Sequence, residues 1–500
     1  MPLNVGDDEE SGGRRGVLLA WEQVIEYLQA EVKNRSLSPI EEAQDEYSGY
    51  QSLDPILSEK QAERSSPEDS WTQDIAGNYW DYVRAACPPG SPAREFKSLN
   101  GTMNQAIDNM YPINSEVPLS YTRGGFVANY TASQDVCFQP HMRGMHGAFV
   151  GSAIRSTAMR ELIPLFSGSK LPQNNDILLP GPMYLTDDDE NNKGRLNGKH
   201  IPFHLANQRD NNVPWSSKHN TVFWRGAAAG SQNVQEPWWR LHRHRWVQML
   251  NGSTVRRVEA GDRRAAPTFR MPPKGSVWRE LRAVKAMTAG RKTIGDWLGE
   301  GLAANVSFTN PVCLAPPSEA IQRRDAEVAG FDELVEQQQN EQEGGEPACP
   351  YANDYYSASE NPHSTVDEEE YKYLPDVDGQ SYSGRWRKIL AGSSCPLKAT
   401  IYAEWHDDRL VPWVHFVPLD NSYQDVWAVM DYFLHSHDVE GERIATASRE
   451  WAARVLRRED MMLYTWRLLL EYARVIDPKR DRLGFVDDLK MTKRPWNIGW

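Results

Sequence analysis

Apolar residues recur in this chain with changing periods, and the changes mark its parts. Near the start, Leu18, Trp21, Ile25, Leu28 and Val32 are spaced 3, 4, 3 and 4 apart. That spacing predicts a helix seam. Two heptads make a short packed helix a better reading than a coiled stem. From 72 to about 215 the apolar runs are short and broken by Gly, Pro and Asn, which predicts short strands. One of them, GGFVANYTASQDVCFQP, reads as a strand ending at Gln134–Asp135. Further on, Thr221–Trp224 reads as a strand, Gly226–Gly230 as a run of small residues, and His242, Arg243 and Arg245 as part of a helix, where solvated charge or an ion pair with an acidic neighbour is the better reading of each than contact with a nucleotide.

Tyr371 to Pro418 then reads as strand, Gly/Ser-rich turn, helix and a second strand over Lys398–Tyr402. Beyond 430, Trp451, Val455, Met462, Trp466, Leu469, Leu470 and Ala473 suit an amphipathic helix pair ending at Pro478. Strand–turn–helix alternation predicts an α/β fold. The boundaries fall at a polar, stem-like segment 1–70, a first lobe 71–217, a second lobe 218–430 with an insert at 318–370, and C-terminal helices 431–500.

Composition changes this picture in a few places. The net charge is −14, and residues 318–370 alone hold fifteen acidic and two basic side chains. That tract, with its QQQNEQEGGEP core, reads as a disordered insert. The remainder is nearly neutral. No cluster of cations suits a nucleic-acid backbone, so no nucleic-acid partner is expected. The 18 Trp and 20 Tyr suit sugar-binding clefts, but packing accounts for most of them. No stretch reaches membrane-spanning length, and the polar start MPLNVGDDEESGGRR does not read as a signal peptide. Five cysteines lack metal-ligand spacing, and five sequons begin at Asn34, Asn100, Asn129, Asn251 and Asn305.

The Gly/Ser turn carries the strongest candidate chemistry. Ser381, Ser383 and Gly384 keep bulk away from the backbone, and Arg385 follows at the helix start. Such a turn can hold a phosphate through N–H groups and a guanidinium. Arg225 and Gly226, at a strand end, suit a diphosphate at a switch point between strands; a plain ion pair is the competing reading. Asp376-Val377-Asp378 has the spacing of a divalent-metal pair. Turn formation and acceptance of N–H groups account for it better, and no metal is expected.

YKYLPDVDGQSYSGRW, SSCPLKATIYAEW, LVPWVHFVPLD, KHNTVFWRGAAAGS with WWRLHRHRWV, TASQDVCFQP and PLFSGSKLPQNNDILLPGP together resemble glycosyltransferase family 90. That family includes fungal capsule-associated xylosyltransferases and animal protein O-glucosyltransferases, and the likeness is closer to the fungal branch. The blocks span about 120–475 in family order. The resemblance implies two Rossmann-like lobes of the GT-B type, with the last helix crossing back to the first lobe. It implies an inverting, metal-independent transferase that moves xylose or glucose, xylose ahead, from a UDP-sugar to a hydroxyl of a glycan or protein. No further cofactor is implied.

By the same resemblance Asp135 is the base that deprotonates the acceptor, with turn capping as the alternative. Asp176 is a structural residue or an acceptor ligand, and His146 a weaker base candidate. Glu404 is either a ribose ligand or a structural ion pair with Arg409 or Lys398. Tyr382 or Trp386 could stack on uracil or pack in the core. The implied location is the lumen of the secretory pathway, Golgi or ER, with any anchor outside this sequence. An inactive carbohydrate- or glycoprotein-binding module on the same fold is the main rival. A hydrolase with paired carboxylates is a weaker one.

Overall fold

In a computed structural model of the chain, the described residues are 120–150, 162–181, 213–228, 238–262, 264–271, 293–299, 303–309, 367–379 and 381–476. Shorter pieces lie at 3–4, 14–24, 26, 71–73, 79–95, 157–159, 195–196, 199–200, Tyr184 and Tyr356.

In the first half, helix α1 (Tyr79–Ala86) ends next to Cys87, which is disulfide-bonded to Cys137. The strand expected to run into Asp135 is not formed. A short hairpin, β1 (Thr122–Arg123) and β2 (Phe126–Val127), comes first. It turns through Gly124 and Gly125, both at positive φ (61° and 90°), where a side chain would be strained. Asn129 then accepts a hydrogen bond from the Ala132 amide at 3.1 Å and starts helix α2 (Tyr130–Gln134). A capping asparagine that takes up an orphan amide outweighs mixed apolar spacing. The two-residue strands that follow α2 include β3 (Phe166–Ser167), β4 (Ser169–Lys170) and β5 (Ile177–Leu178). β3 lies between Leu3–Asn4 and β5, all parallel. Among the described residues this small set does not form a second doubly wound sheet.

The second half is built on one parallel sheet. Its strands are β6 (His219–Gly226), β7 (Ala304–Phe308), β8 (Tyr371–Val377), β9 (Cys395–Ala399) and, after the short β10 (Ala403–Glu404), β11 (Val417–Pro418). The spatial order is β7-β6-β8-β9-β11. In chain order this is 2-1-3-4-5, one of the two common doubly wound arrangements. Both faces are covered, so the strands are apolar along their length rather than alternating. Val222, Phe223 and Trp224 of β6, Tyr373 and Leu374 of β8, and every residue of β9 are buried.

Helix α3 (His242–Met249) is buried at all eight positions. This corrects the expectation that His242, Arg243 and Arg245 are solvated or ion-paired. Buried guanidiniums need partners, and here they are carbonyls. Arg243 donates to Asp378 O at 2.7 Å and Ala227 O at 3.1 Å; Arg245 donates to Met145 O at 2.8 Å and Asn421 O at 3.1 Å.

Helices α4 (Gly252–Glu259) and α5 (Ile294–Gly299) pack closely. A Cβ on Gly252 would lie 2.5 Å from Gly299 N, and one on Gly295 would lie 2.3 Å from Arg256 N. Helix α6 (Trp386–Ala391) follows the Gly/Ser turn. Three C-terminal helices complete the fold: α7 (Val426–His435), α8 (Asp438–Val455) and α9 (Arg458–Ile476). Tyr464 of α9 donates to Leu178 O at 3.1 Å, and Tyr472 packs edge-on to Phe166 with centroids 5.2 Å apart. The last helix therefore touches the first half. Its expected apolar face is exposed, however, at Met462, Trp466, Leu469 and Leu470. Packing is made instead by Met461, Tyr464 and Tyr472. Most of the acidic tract lies outside the described residues. Tyr356, within it, is buried against Trp238, His244 and Phe308, so at that position the tract joins the core.

Candidate active site

The switch point of a 2-1-3-4-5 sheet lies beyond the carboxyl ends of its first and third strands, here β6 and β8. Arg225 and Gly226 end β6, and Asp378, Gly379 and the turn to Arg385 follow β8. Two guanidiniums gather there, those of Arg243 and Arg385. Arg385 Nη1 donates to Arg225 O at 2.6 Å. Arg243 and Arg385 both lie 5.6 Å from the ring centre of Trp224. Neither has a carboxylate ion pair among the described residues. Burial, and next the charge of Arg385, lower the Arg243 pKa to about 10. Arg385 Nη2 is buried with no hydrogen-bond partner among the described residues. Like charges held together, one donor unmet, make a place for an anion.

Arg225 has a different posture. Its guanidinium donates to Asn305 O at 2.9 Å and to Asn305 Oδ1 at 2.7 Å, and it stacks on Phe223. Gly226 is required by packing, since a Cβ there would be 2.6 Å from the Trp224 ring. In the turn, Gly379 N donates to Ser381 O at 2.9 Å and Trp386 N to Ser383 O at 3.3 Å; Ser383 is buried and Gly384 exposed. Tyr382 and Trp386 are both core residues. The Tyr382 hydroxyl reaches the first half, 2.2 Å from where a Cβ on Gly181 would be, and Trp386 lies under Lys398 and against Phe416.

Beside the turn lies a buried ionic cluster. The β8–β9 register sets Asp376 opposite Lys398. Lys398 Nζ is 2.6 Å from Asp376 Oδ2 and 3.3 Å from Glu404 Oε1. Glu404 also accepts from the Tyr184 hydroxyl at 2.7 Å and lies 3.4 Å from His406 Nε2. Burial alone would raise the Glu404 pKa; His406 and Lys398 outweigh it and bring it to about 2. The Lys398 ion pair offered by the sequence as one reading of Glu404 is thus present.

Asp378 joins the two halves. Its Oδ2 accepts from Ile401 N at 2.9 Å and faces His146 Nε2 at 3.2 Å, and its carbonyl takes His242 Nε2 at 2.7 Å. The Ala148 amide donates to His146 Nδ1 at 3.1 Å, so Nε2 of the neutral ring carries the proton given to Asp378. Burial raises the Asp378 pKa to about 7. His146 stacks flat on His242, centroids 4.1 Å apart. Both carboxylates of the Asp-x-Asp pair are therefore engaged by protein groups. Among the described residues no group of three potential ligands surrounds a metal position.

Asp135 lies in the bend between α2 and a short 3-10 turn. Its Oδ1 accepts from Cys137 N at 2.8 Å and from Gln173 Nε2 at 2.5 Å. Burial, opposed by these bonds, raises its pKa. Gln134 donates to Tyr402 O at 2.9 Å, and Asn421 Nδ2 donates to both Ser133 O at 2.7 Å and Thr400 O at 3.2 Å. These bonds fix Asp135 at the same carboxyl edge of the sheet as the cationic turn. Asp176 is buried, accepts from the Ser167 hydroxyl at 2.6 Å, and its carbonyl takes Lys170 Nζ at 3.0 Å.

Sequence reading undervalued Arg243 and passed over Gln173. Arg243 shares α3 with the buried His242 and Arg245; the Trp, Leu and Met residues that flank the polar HRHR run were the only available signal. Gln173 sits in PQNND beside Asp176, with nothing local linking it to Asp135.

The class so defined is a doubly wound α/β protein with an anion-receptive switch point. Residues 331–484 match the family described as Glycosyl transferase family 90, so this part of the chain is similar to family 90 glycosyltransferases. That region includes the 381–385 turn and Glu404; Asp135, His146, Asp176 and Arg225 lie outside it. The chain is 33% identical over 124 residues to Protein O-glucosyltransferase 2 of Danio rerio, covering 24% of this chain and 25% of that protein. It is 32% identical over 111 residues to O-glucosyltransferase rumi of Drosophila pseudoobscura pseudoobscura, covering 21% and 26%. Against Protein O-glucosyltransferase 1 of Homo sapiens it is 28% identical over 131 residues, covering 26% and 33%. The matched part spans about a quarter to a third of these relatives' lengths.

Proposed function

We propose that this protein is an inverting glycosyltransferase that moves a sugar from a UDP-sugar to a hydroxyl of a protein or glycan. The carrying observation is the pair of guanidiniums on Trp224 at the switch point, with Arg385 Nη2 unbonded among the described residues. Departure of UDP builds negative charge, and fixed donors that await it lower the barrier. Arg385 and Arg243 supply that charge, with Arg225 O holding Arg385 in place. The Ser381–Gly384 backbone lines the same turn.

Asp135 acts as the base. Its burial-raised pKa suits proton uptake from an acceptor hydroxyl, and attack on the face opposite the leaving UDP inverts the anomeric centre. Asp376 is neutralised by Lys398 and Asp378 is bonded to Ile401 and His146, which supports a mechanism without a divalent ion. UDP-glucose and UDP-xylose are the donors of this reading; the names of the similar proteins favour glucose. The Cys87–Cys137 disulfide and the exposed sequon asparagine Asn129 support a lumenal, oxidising location.

UDP should raise the melting temperature, because a ligand bound only by the native state stabilises it. Arg385→Ala should weaken UDP binding by roughly 10- to 150-fold, the value of one charge-assisted hydrogen bond. Its own stability should change little, since it loses one carbonyl contact and relieves repulsion with Arg243. A melting curve unmoved by millimolar UDP but moved by other nucleotides would refute the donor assignment. UDP binding without transfer to any acceptor would favour the inactive module.

A further inference from the structure

Asp135 has two carboxylate oxygens in different surroundings. Oδ1 takes both hydrogen bonds, from Cys137 N at 2.8 Å and Gln173 Nε2 at 2.5 Å. Oδ2 has no hydrogen-bond partner among the described residues. No charged side chain among the described residues is paired with this carboxylate; the groups that act on it are the Cys137 amide, the Gln173 amide and burial. A carboxylate pinned at one oxygen can turn only about that anchor, so its free oxygen has a defined direction.

We infer that Gln173 is a positioning residue, holding Asp135 by Oδ1 so that Oδ2 is the oxygen that takes the acceptor's proton. This rests on the reading of Asp135 as the base. A glutamine suits the task for a chemical reason. Its amide donates without carrying charge, so it orients the carboxylate and still leaves it basic, whereas a lysine or arginine would depress its basicity. The amide can face Asp135 only by its nitrogen, because a carbonyl oxygen against an ionised carboxylate is repelled.

The loop that bears Gln173 is itself tied down. Asn174 N donates to Leu171 O at 2.9 Å, Lys170 Nζ donates to Asp176 O at 3.0 Å, and Asp176 takes the Ser167 hydroxyl at 2.6 Å. On the other side, the Cys87–Cys137 disulfide fixes the residue that supplies the second donor. Asp176, offered by the sequence as an acceptor ligand or a support, thereby anchors the loop that presents Gln173. The hydrogen bond favours the ionised form of Asp135, so its loss raises that group's pKa.

The test uses the full chain and compares Gln173→Leu, Gln173→Glu, Asp135→Asn and the Gln173→Leu/Asp135→Asn pair. Unfolding in urea at pH 4 and pH 7 gives an arm independent of activity. Gln173→Leu should cost more stability at pH 7, where Asp135 is ionised, than at pH 4. In the Asp135→Asn background the Gln173→Leu cost should be the same at both. An equal cost at both pH values in the native background overturns the proposal.

The second arm follows UDP release from UDP-glucose and UDP-xylose across pH. Gln173→Leu should reduce kcat more than it alters donor KM. The acid limb of the profile should move up by about one pH unit, because the base is harder to ionise. Gln173→Glu, of the same size, should move the limb at least as far, which keeps the test usable if the leucine variant folds poorly. An unshifted profile in both Gln173 variants beside an inactive Asp135→Asn removes the positioning role and leaves the base in place. Near-normal turnover by Asp135→Asn removes the base and the positioning role with it.

Discussion

Lys398→Met tests whether the buried cluster beside the turn is an ionic unit. Lys398 Nζ serves Asp376 at 2.6 Å and Glu404 at 3.3 Å, and all three side chains are 1–2% exposed. Methionine keeps the stem's packing beneath Trp386, 4.6 Å from the ammonium, and removes only the charge. Glu404 would then keep only His406, and Asp376 would lose its ion pair. Removing one partner of a buried ion pair costs about 3–5 kcal/mol. At about 2 °C per kcal/mol for a large domain, that is a fall in Tm of roughly 6–10 °C.

The pH dependence gives the sharper signature. In the native protein Glu404 titrates near 2, below its ordinary 4.5. Its contribution is fully present above 4.5 and is lost as pH falls through 2, so Glu404 itself adds no pH dependence between pH 5 and 7. In Lys398→Met Glu404 loses one of the two charges that hold its pKa down, and burial then pushes that pKa up. The variant should therefore gain stability on acidification from pH 7 to 5, narrowing its gap to the native protein. Urea unfolding at the two pH values measures this. A deficit under about 1 kcal/mol, or one that does not change with pH, would mean that water already solvates the cluster. UDP affinity of Glu404→Gln, measured on folded protein, then separates a ribose ligand from a purely structural partner.

At alkaline pH, His406 should be the sensitive group. Burial opposes its charge, but Glu404 and Asp407 outweigh burial and raise its pKa to about 9. Its stabilisation is complete below 6.5 and should fade as pH climbs through 9, and His406→Gln should flatten that decline in a Tm–pH series. Opening the Cys87–Cys137 disulfide, whose residues are 50 apart, should cost about 4 kcal/mol by loop entropy, read as a lower urea midpoint for Cys87→Ser. Gly181→Ala would set a Cβ 2.2 Å from the Tyr382 hydroxyl. It should destabilise by about 1–3 kcal/mol, and Tyr382→Phe should recover part of the loss in a double-mutant cycle.

What the sequence alone determined was local. Thr221–Trp224, a short strand opening at Tyr371 and the Gly/Ser turn were legible because strand apolarity and small-residue turns are written in consecutive residues. The cation following that turn was legible for the same reason, as was the helical character of the C-terminus. Asp135 and Arg385 could be named as candidates, but their surroundings could not. Where two local signals competed the weaker one misled: apolar residues suggested a strand through 130–134, and the Asn129 cap made it a helix.

Tertiary structure decided the remainder, because burial and pairing depend on residues far apart in the chain. Arg243 became a buried switch-point cation only when α3 was covered on all sides. Lys398 met Asp376 through strand register and Glu404 through the bend after β9. The apolar face of α9 looked like core from its spacing, yet Tyr464 and Tyr472 are the residues that touch the first half. Gln173 reached Asp135 across 38 residues, because loop closure brings together groups that no local pattern connects.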